Sequence, residues 1–136
     1  MSPKKRTTRT VSETDAASYL RKAEEFYLTM TEAFEKRRWN SAGLAGVHCA
    51  ITATDAVLGK KARVRSSGES HYEAVQLLKQ YVQDPQTGPQ AQRLNRILGE
   101  KNLVEYDSRE FRENEAIAIV KDVGRYLEWV KGFFPV

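Results

Sequence analysis

The segment SAGLAGVHCAITATDAVLG, residues 41–59, decides the fold. It predicts a helix with two different faces. One face is a strip of small residues, which lets a second helix approach the backbone closely: Gly43, Gly46, Ala50 and Ala53. The other face repeats at the three-and-four spacing of a buried stripe: Leu44, Val47, His48, Ile51, Asp55 and Leu58. A helix of this kind belongs in the middle of a helical bundle.

Two members of the buried stripe, His48 and Asp55, are titratable, and we expect both to be buried polar residues. A buried carboxylate is costly without hydrogen-bond donors, so Asp55 must find partners in the bundle. His48 is expected to be a hydrogen-bonded core residue, since a histidine on an apolar helix face usually is. His48, Asp55 and His71 form only a weak candidate metal site, so no metal or other cofactor is predicted.

Composition indicates one domain with a single core. The chain has 136 residues and a net charge of +4, and four basic residues within positions 1–11 account for that excess. Without them, basic and acidic side chains balance at 18 each. We therefore predict a disordered basic tail over residues 1–11 and one folded domain over 12–136. A neutral body disfavours a dedicated duplex-DNA binder.

The chain shows no apolar run of membrane-spanning length and no secretory signal, so no membrane association is expected. A single cysteine, Cys49, excludes a disulfide framework and fits the reducing cytoplasm. These features predict a cytoplasmic protein.

Helical periodicity recurs along the whole body, and no segment has the period of a strand. The predicted class is all-α, an antiparallel bundle of about five helices. Their expected ranges are residues 12–38, 41–59, 71–83, 89–106 and 113–134. Ser12 begins helix one with a capping-box pattern, Asn40 or Ser41 caps helix two, Gly59 ends it, and Ser70 with Glu73 caps helix three.

The loop between helices two and three carries four basic residues: Lys60, Lys61, Arg63 and Arg65. It is either a solvated connector or an anion-binding loop beside a helix N-terminus. The last helix has a second apolar row beside its main stripe: Ile119, Tyr126, Trp129 and Phe133. Because one buried stripe is enough for a helix in a small bundle, the second row predicts a covering surface, most simply a twin subunit.

Four motifs together resemble the HEPN domain family of prokaryotes over roughly residues 12–134. They are RRWN at 37–40, the Asp-Ala pair at 55–56 in the small-residue helix, SHYEAVQLL at 70–78 and RILGEKNLVEY at 96–106. The resemblance implies an all-α bundle of four to five helices that usually forms a homodimer. Many members are metal-independent endoribonucleases acting as toxins or in antiviral defence. Others bind nucleotides or RNA without cutting, and some pair with a nucleotidyltransferase that neutralises them.

The catalytic pattern of the family is an Arg, often followed by Asn, with a His five to seven positions after the Arg and often a Tyr nearby. The matching segment here has Lys101 in place of Arg and Glu105 in place of His, while Asn102 and Tyr106 are retained. Glutamate is too acidic to exchange protons near neutral pH unless it is buried, and lysine lacks the planar fork of arginine. Lys101 and Glu105 also fit an ordinary helical ion pair.

Arg65 and His71 match the catalytic spacing literally, although at a different place in the chain, and they are the candidate catalytic pair. His71 is otherwise expected to cap helix three or to bond Asp55. The predicted ligand-binding residues are Lys101, Asn102, Glu105, Tyr106, Arg63, Arg65 and His71. The sequence favours a non-catalytic dimeric module that binds a nucleotide, RNA or a partner protein. The alternatives are a metal-independent endoribonuclease toxin and a pure interaction subunit paired with a nucleotidyltransferase.

Overall fold

The computed structural model describes residues 8–67 and 70–135, and the side chain of His71 lies outside the described part. In chain order the elements are β1 (Thr8–Thr10), α1 (Glu13–Glu35), α2 (Trp39–Ala62), β2 (Val64–Ser66), α3 (His71–Tyr81), α4 (Thr87–Gly99), α5 (Lys101–Tyr106) and α6 (Glu113–Lys131). The all-α prediction is confirmed, since the chain is mainly helical with one small two-stranded sheet. The helix α4 and the short α5 together take the place of the predicted fourth helix.

The helix α2 is the centre of the bundle and packs on every other helix. Its small residues are buried as expected, with Gly43, Gly46, Ala50 and Ala53 all inaccessible to solvent. A Cβ atom on Gly43 would lie 2.8 Å from side-chain atoms of Phe111 and Val104, so the small residue permits close packing there. By length and composition α2 resembles a membrane span, but 78% of its most apolar window is buried inside the fold, as in the core helix of a soluble protein.

The helix α1 is joined to α2 by three residues, and the two helices pack side by side as the predicted antiparallel pair. The Ser12 cap is confirmed, since its side chain accepts a hydrogen bond from the backbone N–H of Asp15 at 3.0 Å. Asn40 does not cap α2, because that helix already begins at Trp39. The Asn40 side chain instead accepts a hydrogen bond from the backbone N–H of Phe111 at 2.7 Å. This bond links the first turn of α2 to the segment just before α6.

The predicted end of α2 at Gly59 is wrong, because the helix continues to Ala62. Gly59 lets the Val11 side chain pack closely against α2, because a Cβ atom at position 59 would lie 2.7 Å from Val11 Cγ1. The chain reverses at Arg63, whose φ of 57° is left-handed and whose N–H donates to the Gly59 carbonyl oxygen. Ser70 precedes α3, but among the described residues its side chain makes no capping hydrogen bond.

The expectations of a disordered tail and of no strands are wrong over residues 8–11. The strand β1 pairs antiparallel with β2, in register Thr8 with Ser66, Arg9 with Arg65 and Thr10 with Val64. Val11 is buried, and its N–H donates to the Arg63 carbonyl oxygen at 2.8 Å. The strands are too short for a detectable alternation. Residues 1–7, which hold the rest of the predicted tail, lie outside the described part.

The second apolar row of α6 does not need a partner subunit to cover it. Tyr126 is fully buried and Ile119 is 3% exposed within the single chain. Trp129 is half-buried and donates from Nε1 to Asp84 Oδ2 at 3.0 Å, and its ring meets the Phe133 ring edge-on. The loop between α3 and α4 and the end of α2 cover this row. The second apolar row therefore does not indicate a dimer.

Candidate functional site

A cavity of about 120 Å³ lies between α2, β2, the start of α3 and the junction of α4 with α5. Three charged side chains line it from three different elements: Asp55 from α2, Arg65 from β2 and Lys101 from α5. The remaining lining residues are three polar and three apolar: Thr54, Ser66, Ser70, Ile51, Ala74 and Leu98. The fold therefore brings together two of the predicted ligand-binding cations and the predicted buried carboxylate.

Asp55 has a perturbed acidity in this cavity. Burial raises the pKa of its carboxyl from the ordinary 3.8 to about 6, and the nearby positive charge of Arg65 partly opposes the rise. Among the described residues, no side-chain or backbone donor makes a hydrogen bond to this carboxylate. The expectation that Asp55 finds donors inside the bundle is therefore not met by the described part of the chain. Asp55 lines the cavity, so a ligand there would lie next to its carboxylate.

Arg65 is predicted in a loop and instead lies in the strand β2. Its guanidinium lies 6.0 Å from the centre of the Tyr19 ring and donates from Nη1 to the Ser66 carbonyl oxygen at 3.3 Å. Strand pairing fixes its backbone opposite Arg9. Arg63 points elsewhere, since it does not line the cavity and lies 3.6 Å from Glu13. Only one of the two predicted loop arginines thus belongs to the site.

The helix α5 runs antiparallel to α2 across the same face. Val104 contacts the backbone at Gly43, Glu105 contacts His48, and Lys101 reaches the cavity beside Asp55. Lys101 Nζ donates to Glu105 Oε2 at 2.9 Å, so the helical ion pair predicted as the ordinary role of these residues is present. Burial favours a higher pKa for Glu105, but donors on Lys101 and Tyr106 outweigh it and lower that pKa. Glu105 therefore stays ionised.

The prediction that His48 is buried is wrong, since 42% of its side chain is exposed. His48 has neighbours on both α1 and α5. Its Nε2 lies 3.2 Å from Glu105 Oε1, and its ring lies 5.9 Å from the Phe26 ring. This imidazole–carboxylate contact is a candidate functional feature that sequence reasoning missed. Its only local signal is the seven-residue spacing of His48 and Asp55, which places both on one face of α2.

The other predicted site residues lie outside the cavity. Tyr106 is 75% exposed, with Lys101 Nζ 5.7 Å from its ring centre, and Asn102 is also exposed. The side chain of His71 is outside the described part, so the proposed Arg65–His71 pair and the His71–Asp55 bond stay predictions. Cys49 is buried, and burial raises the pKa of its thiol to about 12, which makes it an unreactive core residue. Within residues 8–67 and 70–135, no group of three or more metal-ligating side chains comes together.

The comparison with known families decides the wider assignment. The family model described as the HEPN domain matches residues 16–133 of the 136. The chain belongs to the HEPN domain family. This HEPN chain is accordingly a module of the nucleotide-binding, RNA-binding or ribonuclease type. Among curated proteins, no match was found.

Proposed function

We propose that this HEPN chain binds a nucleotide, free or within an RNA, in the cavity lined by Asp55, Arg65 and Lys101, and that it does not cut it. The carrying observation is the convergence of two cations from separate elements on one partly enclosed cavity. Arg65 and Lys101 supply hydrogen-bond donors to the oxygens of a nucleotide. Glu105 supports the absence of cleavage, because an ionised carboxylate held by Lys101 is a poor proton carrier near neutral pH.

Removing either cation is expected to weaken nucleotide binding. Arg65→Ala and Lys101→Ala should each raise the dissociation constant at least about tenfold, since a hydrogen bond to a charged group contributes roughly 1.5–3 kcal/mol. Isothermal titration calorimetry of the full chain with nucleoside monophosphates and with a short single-stranded RNA measures this. Arg125→Ala and Lys121→Ala, which alter exposed residues of α6, are the matched controls. Equal affinity of Arg65→Ala and wild type would remove Arg65 from the site, and no binding by wild type would overturn the proposal.

A ribonuclease is the second candidate, and the contact between His48 and Glu105 favours it. Imidazole is the side chain that changes charge near neutral pH, and α2 here supplies the imidazole that α5 lacks. In this candidate Glu105 orients His48, which takes a proton from a ribose 2′-OH while the leaving 5′-oxygen is protonated from solvent. The products are a 2′,3′-cyclic phosphate and a 5′-hydroxyl.

This second candidate makes a direct prediction about His48. Purified protein would cleave RNA in a buffer containing EDTA, and His48→Ala would lose about 10²–10⁴-fold in rate, the range for general acid–base catalysis. Gel analysis of a labelled RNA with identification of the cyclic phosphate end provides the measurement. A wild-type chain that leaves RNA intact excludes this candidate, as does a His48→Ala variant that cuts at the wild-type rate.

We further propose that the chain acts as a homodimer, and that it serves in a toxin–antitoxin or defence system beside a nucleotidyltransferase in the cytoplasm. Membership of the HEPN family and three partly exposed neighbours on one surface, Phe26, Leu44 and His48, support a paired arrangement. Light scattering at micromolar concentration tests the dimer, and a monomer there would contradict it.

A further inference from the structure

The charged side chains that line the cavity are one acceptor group and two donor groups. The Asp55 carboxylate only accepts hydrogen bonds when ionised, whereas Arg65 and Lys101 only donate them. Lys101 spends one donor on Glu105 and keeps two. Thr54 has little left to offer, because its hydroxyl bonds the Ala50 carbonyl oxygen at 2.8 Å and the Tyr126 hydroxyl at 2.6 Å. Ser66 and Ser70 also line the cavity, and a serine hydroxyl can either donate or accept. The fixed pattern of donors and acceptors therefore comes from the three charged residues.

The volume of the cavity suits a small group. Its volume of about 120 Å³ is well below the roughly 300–1,000 Å³ of pockets that enclose whole drug-sized ligands. Ile51, Ala74 and Leu98 give it apolar walls from α2, α3 and α4. Apolar walls with a few placed polar groups suit the faces and the edge of one planar ring system. A nucleobase meets this description, while the sugar and the phosphate of its nucleotide would remain outside.

We propose that the cavity recognises guanine, with Asp55 accepting from its N1–H and N2 amino groups and Arg65 or Lys101 donating to its O6 and N7. This inference rests on the proposed function and names the base. Arginine and lysine are the usual partners of guanine O6 and N7. Guanine also carries two adjacent donors, which match the two oxygens of one carboxylate.

The other bases fit this set of groups poorly. Adenine offers one exocyclic amino group beside the N1 lone pair, which an ionised carboxylate repels. Uracil has a single N–H between two carbonyl oxygens, and cytosine places the N3 lone pair beside its amino group. A site that binds through buried polar groups rejects a ligand that leaves those groups unpaired. Asp55 is therefore the residue that selects the base, and the two cations strengthen the choice.

The test titrates the full chain with GMP, IMP, AMP and XMP at pH 7.5. Wild type is expected to bind GMP at least about tenfold more tightly than AMP, the discrimination of one bidentate pair, with IMP between them because it lacks the N2 amino group. Asp55→Asn should reverse the order of GMP and XMP, since the asparagine amide N–H donates to the C2 oxygen of xanthine. Asp15→Asn, at an exposed position outside the cavity, should keep the wild-type order.

A second arm repeats the GMP titration between pH 7.5 and pH 5. Affinity should fall below about pH 6, because the carboxylate that accepts from guanine is then protonated. Within residues 8–67 and 70–135, leaving aside the His71 side chain, the charged or titratable groups that face Asp55 are Arg65 from β2, Lys101 from α5 and Tyr126 from α6. In Asp55→Asn this dependence on pH should disappear.

The outcomes separate the inference from the function beneath it. If wild type bound all four nucleotides equally and Arg65→Ala lost them all, guanine recognition would be overturned and the proposed function would stand. A GMP preference that survives in Asp55→Asn would likewise overturn the role of Asp55. If no nucleotide bound to wild type, both would fall.

Discussion

Replacing Tyr126 by alanine is expected to lower the free energy of unfolding by about 3–5 kcal/mol, as for other buried aromatic residues truncated to alanine. Within the part of the chain that the structure describes, Tyr126 is the largest fully buried side chain, and it packs from α6 toward α2. Its hydroxyl lies 2.6 Å from Thr54 Oγ1, which itself donates to the Ala50 carbonyl oxygen. The alanine variant therefore loses ring contacts and a buried hydrogen bond to Thr54, the residue before Asp55. The total free energy of unfolding of a small domain is about 5–15 kcal/mol, so the expected loss is a large fraction of it.

Tyr126→Phe separates the ring from the hydroxyl. Because Thr54 uses its proton on Ala50, the tyrosine must be the donor, and its loss leaves one acceptor on Thr54 unpaired. We expect a destabilisation of about 1 kcal/mol for this variant. Urea denaturation followed by circular dichroism measures both variants on the same chain. If Tyr126→Ala were as stable as Tyr126→Phe, the ring would not fill the core as described.

Asp55→Asn is expected to make the protein more stable at neutral pH, by up to about 3 kcal/mol. Burial raises the pKa of Asp55 from 3.8 to about 6, so between these values the folded state binds more protons than the unfolded state. Stability from this group is fully present below about pH 4, falls as pH rises to about 6, and is then constant. Asparagine carries no charge and avoids this loss.

The measurement is the difference in unfolding free energy between Asp55→Asn and wild type at pH 4 and at pH 7.5. The difference should be small at pH 4 and should grow toward its full value above pH 6. Other acids, such as Glu115 with its pKa of about 2, are present in both proteins and cancel. A difference that is the same at both pH values would show that ionised Asp55 is not destabilising. The expected result also explains its presence, since a residue that lowers stability is usually kept for function.

The sequence predicts the central helix well because its signal is local. The small residues and the apolar stripe of α2 lie within one segment, and their burial follows from the helical period alone. The strands escaped prediction because three residues give no period, and because β1 and β2 pair across more than 50 positions of the chain. The second apolar row of α6 predicts a covering surface, but its periodicity does not determine whether that surface belongs to the same chain or to a second subunit.

The sequence predicts several residues of the site individually, but it does not predict that they line one cavity. Arg65, Lys101 and Asp55 each stood out by type, but only the folded chain places them around one cavity. His48 was assigned to the core because its neighbours along α2 are apolar. In the folded chain its side chain is 42% exposed and lies 3.2 Å from Glu105 of α5, a contact between segments distant in sequence.

The ladder between β1 and β2 matters for anyone who prepares this protein. Trimming the first eleven residues to help crystallisation would remove the strand that pairs with Arg65 and the valine seated on Gly59. An affinity tag is therefore better placed at the carboxyl end, or separated from Thr8 by a spacer. A shortened chain that fails to bind nucleotide would report a lost cavity wall, and it would say nothing about the specificity of the intact protein.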